Sequence, residues 1–163
     1  LMKINGFTLL ELLITMSVFI GLSIIGIGSY TYFVKKNEQK TIIDELRTAI
    51  QYAKMQAIIL GNPVYLSPQD ASSNWSKGIV LNFLNKKTNQ MELIYQWQWS
   101  HPRWDLHWDG VSSSKKITFS TYPGQAISNG RFILMNLDTH EQTVVILNRL
   151  GRIRVSNNLS LMR

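Results

Sequence analysis

The sequence contains no cysteine. That excludes disulfides, thiol catalysis and cysteine-bound zinc or iron–sulfur sites. Charge is also scarce. Asp, Glu, Lys and Arg make up 17% of the chain, against about a quarter in an ordinary soluble domain. The acidic sign is the scarcer one, with 10 acidic against 17 basic residues and a formal charge of +7. A basic excess points to an anionic partner, nucleic acid or a membrane surface, without choosing between them. Catalytic motifs are missing as well. There is no Gly-x-Ser-x-Gly elbow, no P-loop and no dinucleotide fingerprint, so neither an enzyme nor a cofactor is read from the chain. What remains is 163 residues, 45% of them hydrophobic, enough for one folded domain with an appendage.

The charges are unevenly placed. Residues 12–34 hold none over 23 positions, and Lys35 and Lys36 close the run. A bilayer core needs about 20 apolar residues of helix, so this run is long enough to span one. Most of the excess positive charge falls in residues 111–163. There Lys115, Lys116, Arg131, Arg149, Arg152, Arg154 and Arg163 face only Asp138 and Glu141.

No small-residue cleavage site follows the apolar run, so it is not an ordinary secretory signal. The chain opens instead with a short basic stretch, Lys3-Ile4-Asn5-Gly6, followed by Phe7 and, four residues later, Glu11. This resembles the type III signal of type IV prepilins and pseudopilins. The resemblance implies cleavage between Gly6 and Phe7 by a prepilin peptidase, N-methylation of Phe7 and retention of the helix. Glu11 is a carboxylate in an apolar helix, which costs about 2.5–3.5 kcal/mol at a bilayer centre and less near an end. The resemblance gives it a partner, the Phe7 amine of a neighbouring subunit, and hence a role in assembly register.

Residues 37–60 carry a second pattern. Ile42, Ile43, Leu46, Ala49, Ile50, Ala53, Ala57 and Leu60 recur at three- and four-residue spacing, predicting an amphipathic helix. Gly61-Asn62-Pro63 stops it. With no breaker before it, one helix is predicted from Phe7 to Leu60.

Beyond Pro63 the period becomes two. Met91, Leu93, Tyr95, Trp97 and Trp99 alternate with residues of the opposite face, as do Trp104, Leu106 and Trp108, and Ile117 and Phe119. Residues 79–84, 131–137 and 143–148 are apolar runs of strand length, and turn signals such as Asp109-Gly110, Pro123-Gly124 and Asn129-Gly130 separate the strands. The alternation favours burial of the tryptophans over an exposed stacking platform for bases. Asp105, His107 and Asp109 share the face opposite Trp104, Leu106 and Trp108. Such a trio can bind a cation, but more often it is the solvated side of a strand.

Further stretches carry a narrower resemblance. Ala53-Lys54-Met55-Gln56-Ala57-Ile58, Gly61-Asn62-Pro63-Val64, Trp75, Gly78, Ile117-Thr118-Phe119, Gly124 and Leu150-Gly151-Arg152-Ile153-Arg154-Val155 occur in the order found in FimT/GspH-type minor pilins. The expected fold is therefore α+β and type IV pilin-like. A long N-terminal helix, half transmembrane and half amphipathic, packs on an antiparallel β head. The expected segments are a leader at 1–6, a transmembrane and assembly helix at 7–34, its amphipathic continuation at 35–60 and the head at 61–163. Some relatives carry paired cysteines in the head; this sheet holds without them.

The basic terminus bears most directly on function. Alternation turns Ile153 and Val155 inward and sets Arg152 and Arg154 on one outer face, about 6.6–6.8 Å apart along a strand. Two aligned guanidiniums can make bidentate contacts to phosphates. Taken bare, Arg-x-Arg on a strand edge is more often a solubility device. The local charge excess and the likeness of Gly151-Arg152-Ile153-Arg154 to the DNA-binding Gly-Arg-x-Arg motif of FimT-type pilins favour DNA. The resemblance thus implies double-stranded DNA as a partner of Gly151, Arg152 and Arg154. Arg149, Lys115, Lys116, Arg131 and Arg163 are added from charge alone. It also implies the major pilin and other minor pilins, the prepilin peptidase and the inner membrane as partners, with the head in the periplasm or, once assembled, outside the cell. The alternatives are an H-type pseudopilin of a type II secretion pseudopilus, or a minor pilin that only primes assembly.

Overall fold

The computed structural model describes residues 7–70, 73–122 and 128–156, save the side chains of 25–29. Gly6, Gly124 and Arg163 lie outside these residues. The chain divides into two compact units, Leu1–Ile42 and Ile43–Arg163.

Helix α1 runs without a break from Leu9 to Leu60, two residues short of the predicted start. Its first turn is closed by a reciprocal cap. The Thr8 backbone N–H and hydroxyl both donate to the Glu11 carboxylate, at 3.0 and 2.9 Å, and the Glu11 N–H donates to the Thr8 hydroxyl at 3.3 Å. Thr-x-x-Glu is the capping-box spacing, which satisfies donors that the helix itself leaves orphaned. Apolar side chains of this unit, Leu9, Leu10, Phe19 and Leu22 among them, are exposed. Among the described residues no helix is both long and apolar enough to cross a membrane. The uncharged run 12–34 includes 25–29, whose side chains are outside the described set.

In the second unit α1 buries one stripe, Ile43, Leu46, Ala49, Ile50, Ala53 and Ala57. These are the positions that the three-four spacing predicts. Each large aliphatic among them contributes roughly 1.5–3 kcal/mol through burial. The helix ends at Gly61, whose φ of +57° suits a left-handed cap.

The stripe lies on a head of two antiparallel four-stranded sheets. The strands are β1 Val64–Pro68, β2 Ile79–Asn85, β3 Gln90–Trp97, β4 Trp104–Gly110, β5 Ile117–Phe119, β6 Gly130–Asn136, β7 Gln142–Leu147 and β8 Ile153–Ser156, with a 3₁₀ turn at Trp75–Lys77. The first sheet has the order β3-β2-β1-β5 and the second β4-β6-β7-β8. The predicted α+β, pilin-like fold is therefore present, with the head as two sheets. Trp75, Trp108 and Phe132 are fully buried and form an aromatic cluster, with ring centroids 4.6–6.4 Å apart. The loop after β3 is tied to α1 where His101 Nε2 meets Glu45 Oε2 at 2.7 Å.

Two expectations need correction. Met91, Leu93 and Tyr95 do not line a buried face; all three are exposed. The pairing of β2 with β3 shifts register between Leu81 and Asn82. Tyr95 still stands opposite buried Leu81, but Leu93 stands opposite Asn82 and Met91 opposite Leu84. A one-residue shift sends side chains to the other face, and here it turns Leu93 and Met91 outward. Tyr95 keeps the inner side but sits on an edge strand, its ring tilted against Tyr52 and edge-to-face with Trp97, with centroids at 5.5 and 4.6 Å. The tryptophans follow the expectation of burial: Trp75, Trp104 and Trp108 are buried, and Trp97 and Trp99 are half-buried. Val155 points to the core side opposite Val145, yet remains 39% exposed because β8 is an edge strand.

Candidate functional site

The basic terminus folds as an edge hairpin. Strands β7 and β8 pair with Leu147 opposite Ile153 and Ile146 opposite Arg154. The loop between them is built on Asn148. Its side-chain oxygen accepts from the Leu150 N–H at 3.0 Å and the Arg152 N–H at 2.8 Å. Its backbone carbonyl accepts from the Gly151 N–H at 2.9 Å, and its N–H donates to the Arg152 carbonyl. This use of Asn, in place of a backbone turn, fixes the loop locally. Gly151 takes a φ of +70°, which a side chain would strain.

On that frame Arg152 and Arg154 are both exposed, while Ile153 is half-buried. Among the described residues neither guanidinium meets a carboxylate. Arg154 also belongs to a row that crosses the whole outer face of the second sheet. Asp109 on β4 stands opposite Arg131 on β6, Arg131 opposite Ile146 on β7, and Ile146 opposite Arg154. Strands lie about 4.8 Å apart, so the Arg131 and Arg154 backbones are roughly 10 Å apart. An open groove of about 580 Å³ runs beside this row, lined by Arg131, Ile146, Asn148 and Arg149 among others.

The predicted cations are not equivalent. Arg149 is exposed in the hairpin loop, three residues before Arg152 in the chain. Arg131 is ion-paired: its Nε and Nη2 reach Asp109 Oδ2 at 2.9 and 2.8 Å, which offsets its charge. Lys115 and Lys116 precede β5, in the first sheet, and the Lys116 ammonium lies 4.7 Å from the centre of the Tyr65 ring. The structure therefore gathers Arg131, Arg149, Gly151, Arg152 and Arg154 on the second sheet and leaves the two lysines on the first. Asp105, His107 and Asp109 follow one another on the outer side of β4, as alternation predicts. Asp109 is engaged by Arg131.

A contact that the sequence does not reveal comes from the helix. Lys54 Nζ donates to the Leu150 carbonyl at 3.2 Å, across 96 positions of chain. No local spacing signals it.

A family model described as type II transport protein GspH matches residues 43–151. The chain belongs to the GspH family of type IV minor pilins and pseudopilins. The matched stretch runs from Ile43 of α1 through β1 to β7 and ends at Gly151, just before Arg152 and β8. Among solved structures, the type IV minor pilin FimU of Pseudomonas aeruginosa superposes with a TM-score of 0.59 at 17% identity. That match covers 76% of this chain and 92% of the FimU chain. A second crystal form of FimU gives a TM-score of 0.52 at 16% identity, covering 69% and 88%. At these identities the likeness concerns the fold. No curated protein matches the sequence significantly.

Proposed function

We propose that this GspH-family subunit is a minor pilin that captures extracellular double-stranded DNA for uptake in natural transformation. Arg152 and Arg154 are the principal phosphate contacts, and Arg149 is the nearest addition. The observation that carries this reading is the pair of exposed guanidiniums, without carboxylate partners among the described residues, on a hairpin pinned by Asn148 and Gly151. Phosphate contacts carry no base information, so binding is independent of sequence and falls steeply with salt. The test is titration of the full-length protein, in non-ionic detergent, with two unrelated short duplexes at two salt concentrations. Equal affinities and a strong salt dependence are expected. A protein that leaves both duplexes unbound at low salt sinks the DNA reading.

The same proposal includes maturation and assembly. The prepilin peptidase cuts between Gly6 and Phe7, residues 7–34 anchor the subunit in the inner membrane, and the subunit joins the major pilin and other minor pilins. The head faces the periplasm, then the cell exterior. The uncharged run 12–34 supports the membrane anchor. For Glu11 the capping box adds a second duty beside pairing with a neighbour's amine, and the two separate experimentally. Glu11→Gln retains a residue able to close the box and removes the charge. Helix content should be unchanged, while recovery of the subunit in sheared filaments should fall severalfold. Wild-type recovery would leave Glu11 with the cap alone.

One observation favours a second reading. The matching family is described by type II transport and its match stops before Arg152. A secretion pseudopilin with this head has no use for DNA, and the titration separates the two.

A further inference from the structure

Lys54 stands on the part of α1 that lies over the head, outside the apolar stripe. Its side chain runs along the hairpin loop. A Cβ on Gly151 would fall 2.7 Å from Lys54 Cδ and 2.9 Å from Cε, so the stem lies directly against the glycine. The ammonium ends on the Leu150 carbonyl at 3.2 Å. An ammonium carries three N–H donors, and this bond uses one. Among the described residues no carboxylate pairs with Lys54. Its one described partner is a neutral carbonyl, which does not offset its charge.

The consequence is a local excess of one sign. Arg149 and Arg152 flank Leu150 and Gly151 in the chain, and Lys54 adds a third cation to the same loop. Like charges repel, and a bound anion relieves that repulsion for all three at once. A brace for the loop alone would not need a charge, because a neutral amide also donates to a carbonyl, though less strongly. The geometry points to Lys54 as a further phosphate-binding group of the site, supplied by the helix rather than by the hairpin. This deepens the DNA reading given above and rests on it. The anion site then joins two parts of the chain that are distant in sequence, and a phosphate bound between them holds the loop to α1.

The experiment compares wild type, Lys54→Gln, Lys54→Arg and Lys54→Ala as full-length protein in non-ionic detergent, titrated with a short DNA duplex at 50 and 200 mM salt. Melting curves serve as the folding control. Gln keeps an N–H donor, on a side chain one bond shorter, but has no charge; Arg keeps the charge. Loss of one phosphate contact lowers the salt slope by about 0.9. Over that fourfold change in salt, wild type should therefore lose about 3.5 times more affinity than Lys54→Gln. Lys54→Arg should keep the wild-type slope. If Lys54→Gln shows the wild-type slope and affinity and only Lys54→Ala is impaired, Lys54 is a brace and the proposal is overturned. If wild type itself shows no salt-dependent binding, the DNA reading fails and this one with it.

Discussion

Replacing Arg152 and Arg154 together by alanine is expected to abolish detectable DNA binding at physiological salt while leaving the head folded. Non-specific duplex binding has dissociation constants of about 10⁻⁴–10⁻⁶ M at such salt, carried almost wholly by phosphate contacts. A small head has few of these to lose. Arg131 offers little replacement, because Asp109 already holds it. Each single variant should lower the magnitude of the salt slope by about one unit and weaken binding equally for unrelated sequences. Stability should hardly change, since exposed substitutions of this kind usually stay within about 0.5 kcal/mol. The melting curve therefore decides whether a loss of binding has its origin in the site. In cells, transformation should fall while pili still assemble. A folded double variant that binds as the wild type does would reduce the hairpin to a solubilising edge, and the secretion pseudopilin would become the better reading.

The elements that were legible in the sequence are those whose signal is local. Helix α1 shows its three-four spacing and its stop at Gly61, and it ends at Leu60 as predicted. Strand β4 alternates cleanly and buries Trp104, Leu106 and Trp108 as alternation requires. Strand β3 alternates just as well, but its inner and outer faces exchange at the register shift beside Leu81, and that shift depends on β2. Strand β1 went unread because Val-Tyr-Leu-Ser-Pro is short and ends in proline; its place between β2 and β5 is what makes it a strand. The site divides along the same line. The outward side chains of Arg152 and Arg154 follow from alternation. Asn148 as the organiser of the loop is also a local signal, though one that becomes clear only with Gly151 in its left-handed conformation. The Lys54 contact and the Asp109–Arg131 pair join residues from different elements, and only the fold brings them together. Thr8 and Glu11 stand at capping-box spacing, a local signal that the apolar surroundings of Glu11 outweigh when it is read alone.

Trp108→Ala should be the most destabilising single change in the head. The side chain is fully buried and touches the rings of Phe132 and Trp75, with centroids at 4.6 and 6.4 Å. Its indole N–H donates to the Ser113 carbonyl at 2.8 Å, which ties the loop after β4 to the core. Gly110 and Gly130, paired across β4 and β6, leave room for the ring: a Cβ on Gly130 would fall 2.7 Å from the far edge of the indole. The surroundings are thus packed closely around the indole, and they relax only in part when it is removed. Removing a buried Trp or Phe side chain costs about 3–5 kcal/mol through lost burial and the cavity left behind. Domains of this kind have about 5–15 kcal/mol in total, so at the upper end of the cost the head is marginal. Trp108→Phe keeps a ring but loses the bond to Ser113, so its cost should be the smaller, about 1–2 kcal/mol, close to that of one buried hydrogen bond. Urea unfolding followed by circular dichroism measures both variants. A cost below about 1 kcal/mol for Trp108→Ala would mean that the three rings are not the core that joins the 3₁₀ turn to the second sheet.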